Sequence, residues 1–128
     1  MRRETICTTF GTVSLSLCSE MGGLIFVARY ERNFQSKLID EIYARLGEDE
    51  CIVLKTNPNY IQGFPDLLIL FRDRWAALEC KRIEDAIRQP NQPYWVGFLD
   101  RMSFAAFIYP ENKEEVLNDL QQALQSVR

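Results

Sequence analysis

Asp66, Glu79 and Lys81 stand at the borders of two apolar runs, DLLILF (66–71) and WAALECK (75–81). An unpaired charge beside a buried strand is costly, so ionised groups in such places have a partner, a metal or a task. Side chains of a strand alternate between faces, which puts Trp75, Ala77, Glu79 and Lys81 on one side and Ala76, Leu78 and Cys80 on the other. Arg72 and Asp73 form a tight polar turn between the runs. An antiparallel return then sets the start of the first run beside the end of the second, and Asp66, Glu79 and Lys81 are expected to converge at one edge of a sheet. Glu31 adds a third carboxylate. On a helical wheel it falls near the middle of the Phe34–Leu38–Ile42 stripe, with Gln35 on the same face, Glu41 at its margin and Asp40 pointing away. Inward carboxylates with one lysine suit a hard cation such as Mg²⁺, which takes oxygen ligands and keeps waters for exchange with phosphate oxygens. Such an ion acidifies a bound water and neutralises charge developing on phosphorus, while a nearby ammonium can orient the attacking water.

The composition narrows the alternatives. The chain has no histidine, so an imidazole base, a histidine triad and a histidine metal site are all excluded. Its four cysteines, Cys7, Cys18, Cys51 and Cys80, show no zinc-type spacing and are expected to be reduced thiols, mostly small core hydrophobes. At 128 residues, 47% hydrophobic and 26% charged, it is about the size of one soluble domain with one core. The net charge of −3 gives no general attraction to nucleic acid, so such binding needs a local basic patch. Apolar runs stay well short of the roughly 20 residues that span a bilayer, and no signal-peptide pattern is present. A cytoplasmic, intracellular protein without membrane attachment is expected.

The elements that must hold these residues follow from periodicity. Residues 1–24 have no clean pattern and are left as an unassigned N-terminal extension, with Met21 a possible alternative start. Residues 25–128 form one α/β domain. Phe34, Leu38, Ile39, Ile42 and Leu46 give a helix from Glu31, with Gly47 as its stop. CIVLKT (51–56), DLLILF (66–71) and WAALECK (75–81) read as strands. After a polar connection containing Pro90 comes a short helix over 91–101, with Asn91 as cap and Pro93 in the tolerant first turn. SFAAFIY (103–109) is the last strand. A closing helix has Asn112 and Glu115 in a capping-box pattern and Val116, Leu120, Ala123, Leu124 and Val127 as its buried stripe.

Pro65-Asp66 followed by Glu79-Cys80-Lys81 across a hairpin, within an α-β-β-β-α-β order, resembles the PD-(D/E)XK nuclease superfamily. Within it, Gly63-Phe64-Pro65-Asp66 before the apolar strand and Gln92-Pro93-Tyr94-Trp95 opening the next helix look most like the VRR-NUC branch and the related archaeal-type Holliday junction resolvases. Glu31 with Gln35 matches the family's E-x-x-x-Q start. The likeness covers roughly residues 30–110. It implies a restriction-endonuclease-like αβββαβ core, a mixed sheet flanked by helices, followed by the C-terminal helix. It further implies Asp66 and Glu79 as ligands of Mg²⁺ or Mn²⁺, with the backbone carbonyl of Cys80 contributing and Glu31 supporting the metal. Lys81 would handle the nucleophilic water, and Gln92 would position substrate or Lys81. The implied activity is phosphodiester hydrolysis in DNA, with structure-selective cleavage in recombination or repair as one variant. A junction-resolving variant would need two symmetric sites and hence a homodimer, and a domain this small could equally work with a partner protein.

Each signal also has an ordinary reading. E-x-K alone is a solvated strand face, and Pro-Asp alone is a common turn or strand entry. Glu31 can be a first-turn residue favoured by the helix dipole, and Gln92 can simply fill a first turn. Of the basic residues, Arg82, Arg88 and Lys55 are the candidates for phosphate contact, whereas Trp75, Tyr94 and Trp95 read as core or helix-packing residues rather than base-stacking platforms. Two rival functions remain: a catalytically silent nuclease-fold module that binds nucleic acid or protein, and an α/β interaction domain in which Asp66 and Lys81 form a buried ion pair.

Overall fold

A computed structural model describes residues 23–84 and 87–126, with side chains from Arg32 onward. The elements are α1 (Gly23–Leu46), β1 (Cys51–Lys55), β2 (Leu67–Phe71), β3 (Arg74–Cys80), α2 (Gln92–Met102), β4 (Phe104–Ile108) and α3 (Lys113–Gln125). Their order is the one expected, and the four strands lie side by side as β1-β2-β3-β4. The first three form an antiparallel meander, with Leu67 opposite Leu78, and β4 runs parallel to β3, with Glu79 beside Phe107. A parallel neighbour requires a crossover, which α2 supplies. Residues 1–22 of the expected N-terminal extension, with Cys7, Cys18 and Met21, and Val127 lie outside the described residues, whereas Gly23 and Leu24 of that extension begin α1.

Alternation along β3 divides the sheet into two unlike faces. Leu67, Ile69, Phe71, Ala76, Leu78, Cys80 and Ile108 meet α1 and α3 through Leu38, Ile42, Leu46, Leu117 and Leu120. The other face carries Ala77, Leu68, Trp75 and Phe107 and is covered by Val96 and Leu99 of α2. That helix packs on β3 and β4. Ile52 and Leu54 of β1 and Leu70 of β2 therefore remain exposed on this side.

Several local expectations are corrected. α1 starts at Gly23 rather than Glu31, because no breaker intervenes and each added residue of a formed helix gains a further hydrogen bond. Its end is as expected: Gly47, at φ 92°, donates its N–H to the Tyr43 carbonyl. In α3 the buried stripe includes Leu117 and leaves Ala123 exposed. Asn112 caps nothing with its side chain; it accepts from the Tyr109 N–H and donates to the Phe107 carbonyl, fastening the end of β4. Asn91 likewise makes no side-chain cap bond. The meander's turn holds Arg72 at φ 54°, and its guanidinium binds both oxygens of Glu50 at 2.9 and 2.8 Å.

Two contacts were invisible to periodicity. The edge strand β1 presents the Val53 N–H outward, and the Tyr43 hydroxyl of α1 accepts it at 2.9 Å, which blunts the edge against pairing. Gly63, at φ 84°, lies so close to the start of α2 that an added Cβ would fall 2.5 Å from the Asn91 Cβ. Only glycine lets the 56–66 loop abut the helix that carries Gln92.

Candidate functional site

Asp66, just before β2, and Glu79, near the end of β3, are tied together through backbone as well as side chain. The Asp66 N–H donates to Glu79 Oε2 at 3.1 Å, and the Cys80 N–H donates to Asp66 Oδ2 at 2.9 Å. Both carboxylates lie on the α2 face, at the edge where β2 begins. In a strand the N–H and C=O of one residue share a side, so the Cys80 carbonyl is turned toward this edge too.

Lys81 follows on the same face. Its ammonium donates to Gln92 Oε1 at 2.7 Å and to the Ile87 carbonyl at 3.4 Å, and lies 3.5 Å from Glu79 Oε1. Gln92 closes the ring. Its Oε1 also accepts the Gln89 N–H at 2.8 Å, and that fixes the amide orientation so that Nε2 donates to Glu79 Oε1. Glu79, Lys81 and Gln92 are only 2%, 7% and 9% exposed, and they are the buried polar side chains of the described domain. The ion pair here joins Lys81 to Glu79, not to Asp66 as the interaction-domain reading required.

Burial dominates the electrostatics. It pushes the Glu79 carboxyl up to about 8, with the neighbouring Asp66 charge adding to the effect and Lys81 opposing it. Burial raises Asp66 as well, against the pull of the Cys80 N–H and the Lys81 charge. A pair of carboxylates that resists ionisation is a place where added positive charge is favourable. Asp66 uses Oδ2 for Cys80, and Oδ1 makes no hydrogen bond among the described residues. The donor set therefore fits a hard divalent ion that keeps several waters: two carboxylates and one carbonyl, all oxygen. Among the described residues no three carboxylate or thiol side chains gather at one point. Glu31, the third carboxylate expected, belongs to α1, but its side chain lies outside the described residues.

The basic candidates differ in placement. Arg82 follows Lys81 directly, and its Nε is buried without a hydrogen-bond partner. Arg88 places its guanidinium 4.1 Å over the Phe107 ring, beside Glu79 in the sheet register. Lys55 ends β1 and is exposed. Sequence reasoning missed the Ile87 carbonyl and Gln89 N–H, since backbone groups of a polar connection carry no residue-type signal. Tyr94 is 61% exposed and so is no core residue, although its ring packs along α2 against Trp95 and Phe98. Trp95 is half-buried, edge-on to Phe64 at 5.6 Å.

Two hollows accompany these groups. One of about 310 Å³, between α1 and the start of α3, is lined by Lys37, Glu41 and Lys113 and holds none of the site residues. The other, about 430 Å³, is formed by Thr56, Asn57, Tyr60, Ile61 and Phe64 of the loop leading to Asp66. No helix of the described residues is long and apolar enough to cross a membrane. Cys51 and Cys80 are buried thiols, and burial raises the Cys51 thiol to about 11, which makes it a core residue rather than a nucleophile. Comparison of the chain with protein-family models, with curated proteins and with solved structures finds no match in any of the three.

Proposed function

We propose that this protein is a Mg²⁺- or Mn²⁺-dependent nuclease that hydrolyses phosphodiester bonds in DNA, in keeping with its PD-(D/E)XK-like sequence pattern. The observation that carries the reading is the buried Glu79–Lys81–Gln92 cluster joined through backbone to Asp66. A domain with a small core does not bury an acid, an amine and an amide together without cost, so a task for them is the simplest account.

Asp66 and Glu79, with the Cys80 carbonyl and Glu31, would hold the metal. When bound, the ion supplies Lewis acidity, lowering the pKa of a ligated water and offsetting charge at phosphorus. The remaining work belongs to the chain. Gln92 holds Lys81 in one geometry, and the Lys81 ammonium orients the attacking water. That water's oxygen would form the new bond to phosphorus and release a proton to bulk solvent, while the bond to the leaving sugar oxygen breaks as that oxygen takes a proton from solvent. Arg82, next in the chain after Lys81, and Arg88 would add positive charge for a backbone phosphate. A junction-resolving version of the activity would add a second copy of the chain.

Incubating the protein with linear, nicked, flapped and four-way-junction DNA, with Mg²⁺ or with chelator, tests the reading. Cleavage in Mg²⁺ that stops in chelator is expected. Cleavage that persists in chelator, or no cleavage of any substrate, contradicts it.

A further inference from the structure

The 430 Å³ hollow in the loop leading to Asp66 has a composition that hydrolysis alone does not explain. Its wall includes Tyr60, which leaves 84% of its surface in water, and Phe64, which is backed edge-on by Trp95 at 5.6 Å. The row of rings continues along α2, where Tyr94 stacks on Phe98 at 6.0 Å with planes 20° apart. Packing does not account for an aromatic as exposed as Tyr60, nor does the Asn57–Tyr60 turn, whose hydrogen bond uses only backbone.

The hollow and the catalytic carboxylate are one hydrogen-bonded piece. The Thr56 N–H donates to the Asp66 carbonyl at 2.9 Å, and the Thr56 hydroxyl donates to the Pro65 carbonyl at 2.6 Å. Asn57 uses Oδ1 for the Asn59 N–H, leaving Nδ2 as a donor. We propose that this hollow binds an unpaired nucleobase of the substrate, stacked on Tyr60 and Phe64 with its polar edge toward Asn57 and Thr56. The inference rests on the nuclease reading for its substrate and deepens it, naming strands with unpaired nucleotides as the preferred class.

Three considerations favour a base over other occupants. A phosphodiester at Asp66 carries its own base next to the loop. The volume lies within the range of small-molecule sites, and aromatic walls with a few polar groups suit a planar heterocycle. The net charge of −3 gives no general attraction to phosphate, which leaves stacking a large share of the affinity, as in proteins that hold unpaired strands without sequence readout. In a duplex the bases are stacked on each other and cannot enter.

Fluorescence anisotropy with a labelled single strand and with the same sequence as a blunt duplex, both in chelator so that nothing is cut, provides the test. Tyr60→Ala should weaken single-strand binding roughly ten-fold, as loss of one base–aromatic stack does, and leave duplex binding unchanged. Tyr60→Phe should restore the wild-type value. An unchanged single-strand affinity in Tyr60→Ala, an equal loss on both substrates, or no single-strand binding by the wild type overturns the proposal. The two readings fail separately. Tyr60-dependent binding by a protein that never cuts in Mg²⁺ removes the nuclease and keeps the base site, whereas cutting that ignores Tyr60→Ala does the reverse.

Discussion

The two faces of the sheet are made from the same strands, residue by alternate residue, yet they are built for different ends. Toward α1 and α3 every buried side chain from β2 and β3 is apolar, and Leu67, Ile69 and Leu78 are wholly enclosed. Toward α2 the same strands bury Ala77 and then Glu79, with Lys81 just beyond, and leave Leu70 exposed. One face can exclude water completely because nothing on it needs water. The other must bring charged groups to the rim where β2 begins, so its helix covers only β3 and β4. On the proposed reading, the pairing of a closed face with an open one separates stability from chemistry by strand parity, so that each side can be disturbed alone.

The largest effect is expected on the closed face. Phe71→Ala removes a fully buried ring and should cost about 3–5 kcal/mol, a large part of a small domain's total stability, read as a collapse of Tm. The opposite result is expected from Asp66→Asn. Cleavage should fall at least about 100-fold with Tm nearly unchanged, because Asn can still accept the Cys80 N–H while no longer carrying a buried charge. If Asp66→Asn unfolded the protein instead, the separation between faces would be lost.

A third variant sharpens the comparison through pH. Glu79 keeps its proton in the folded chain up to about pH 8, whereas its ordinary value is 4.5. Between those values the folded state binds more protons than the unfolded one, so stability is greatest below the lower value and declines as pH rises through the upper. Thermal melts from pH 5 to pH 9, on the order of the window set by these two values, should show the decline in wild type and a flatter profile in Glu79→Gln. The smallest effect belongs to the edge: Tyr43→Phe should cost about 1 kcal/mol by leaving the Val53 N–H to water, with cleavage intact.

Much of this was legible in the sequence, and the reasons it was not complete are physical. Strands 51–56, 66–71, 75–81 and 103–109 were marked by apolar runs bounded by turns, and alternation alone put Glu79 and Lys81 on one face. The hairpin spacing placed Asp66 beside Glu79. Periodicity could not say that Leu117 rather than Ala123 faces the core, since a shift of part of a turn in the helix's seating decides it. It could not assign Asn112 to the strand end, because the same side chain serves a cap or a carbonyl equally well. It could not tell that Tyr94 packs only along its own helix and otherwise faces water. The fastening of Lys81 by the Ile87 carbonyl depends on the path of a loop, which residue types do not encode.

The central claim is that Asp66 and Glu79 share one divalent cation. Calorimetric titration of Mn²⁺ into wild type and Asp66→Asn at the same pH tests it without any substrate. One ion per chain in the wild type, with affinity reduced at least about ten-fold in the variant, is the result expected. Equal affinity in both proteins, or no binding by the wild type, would contradict the account.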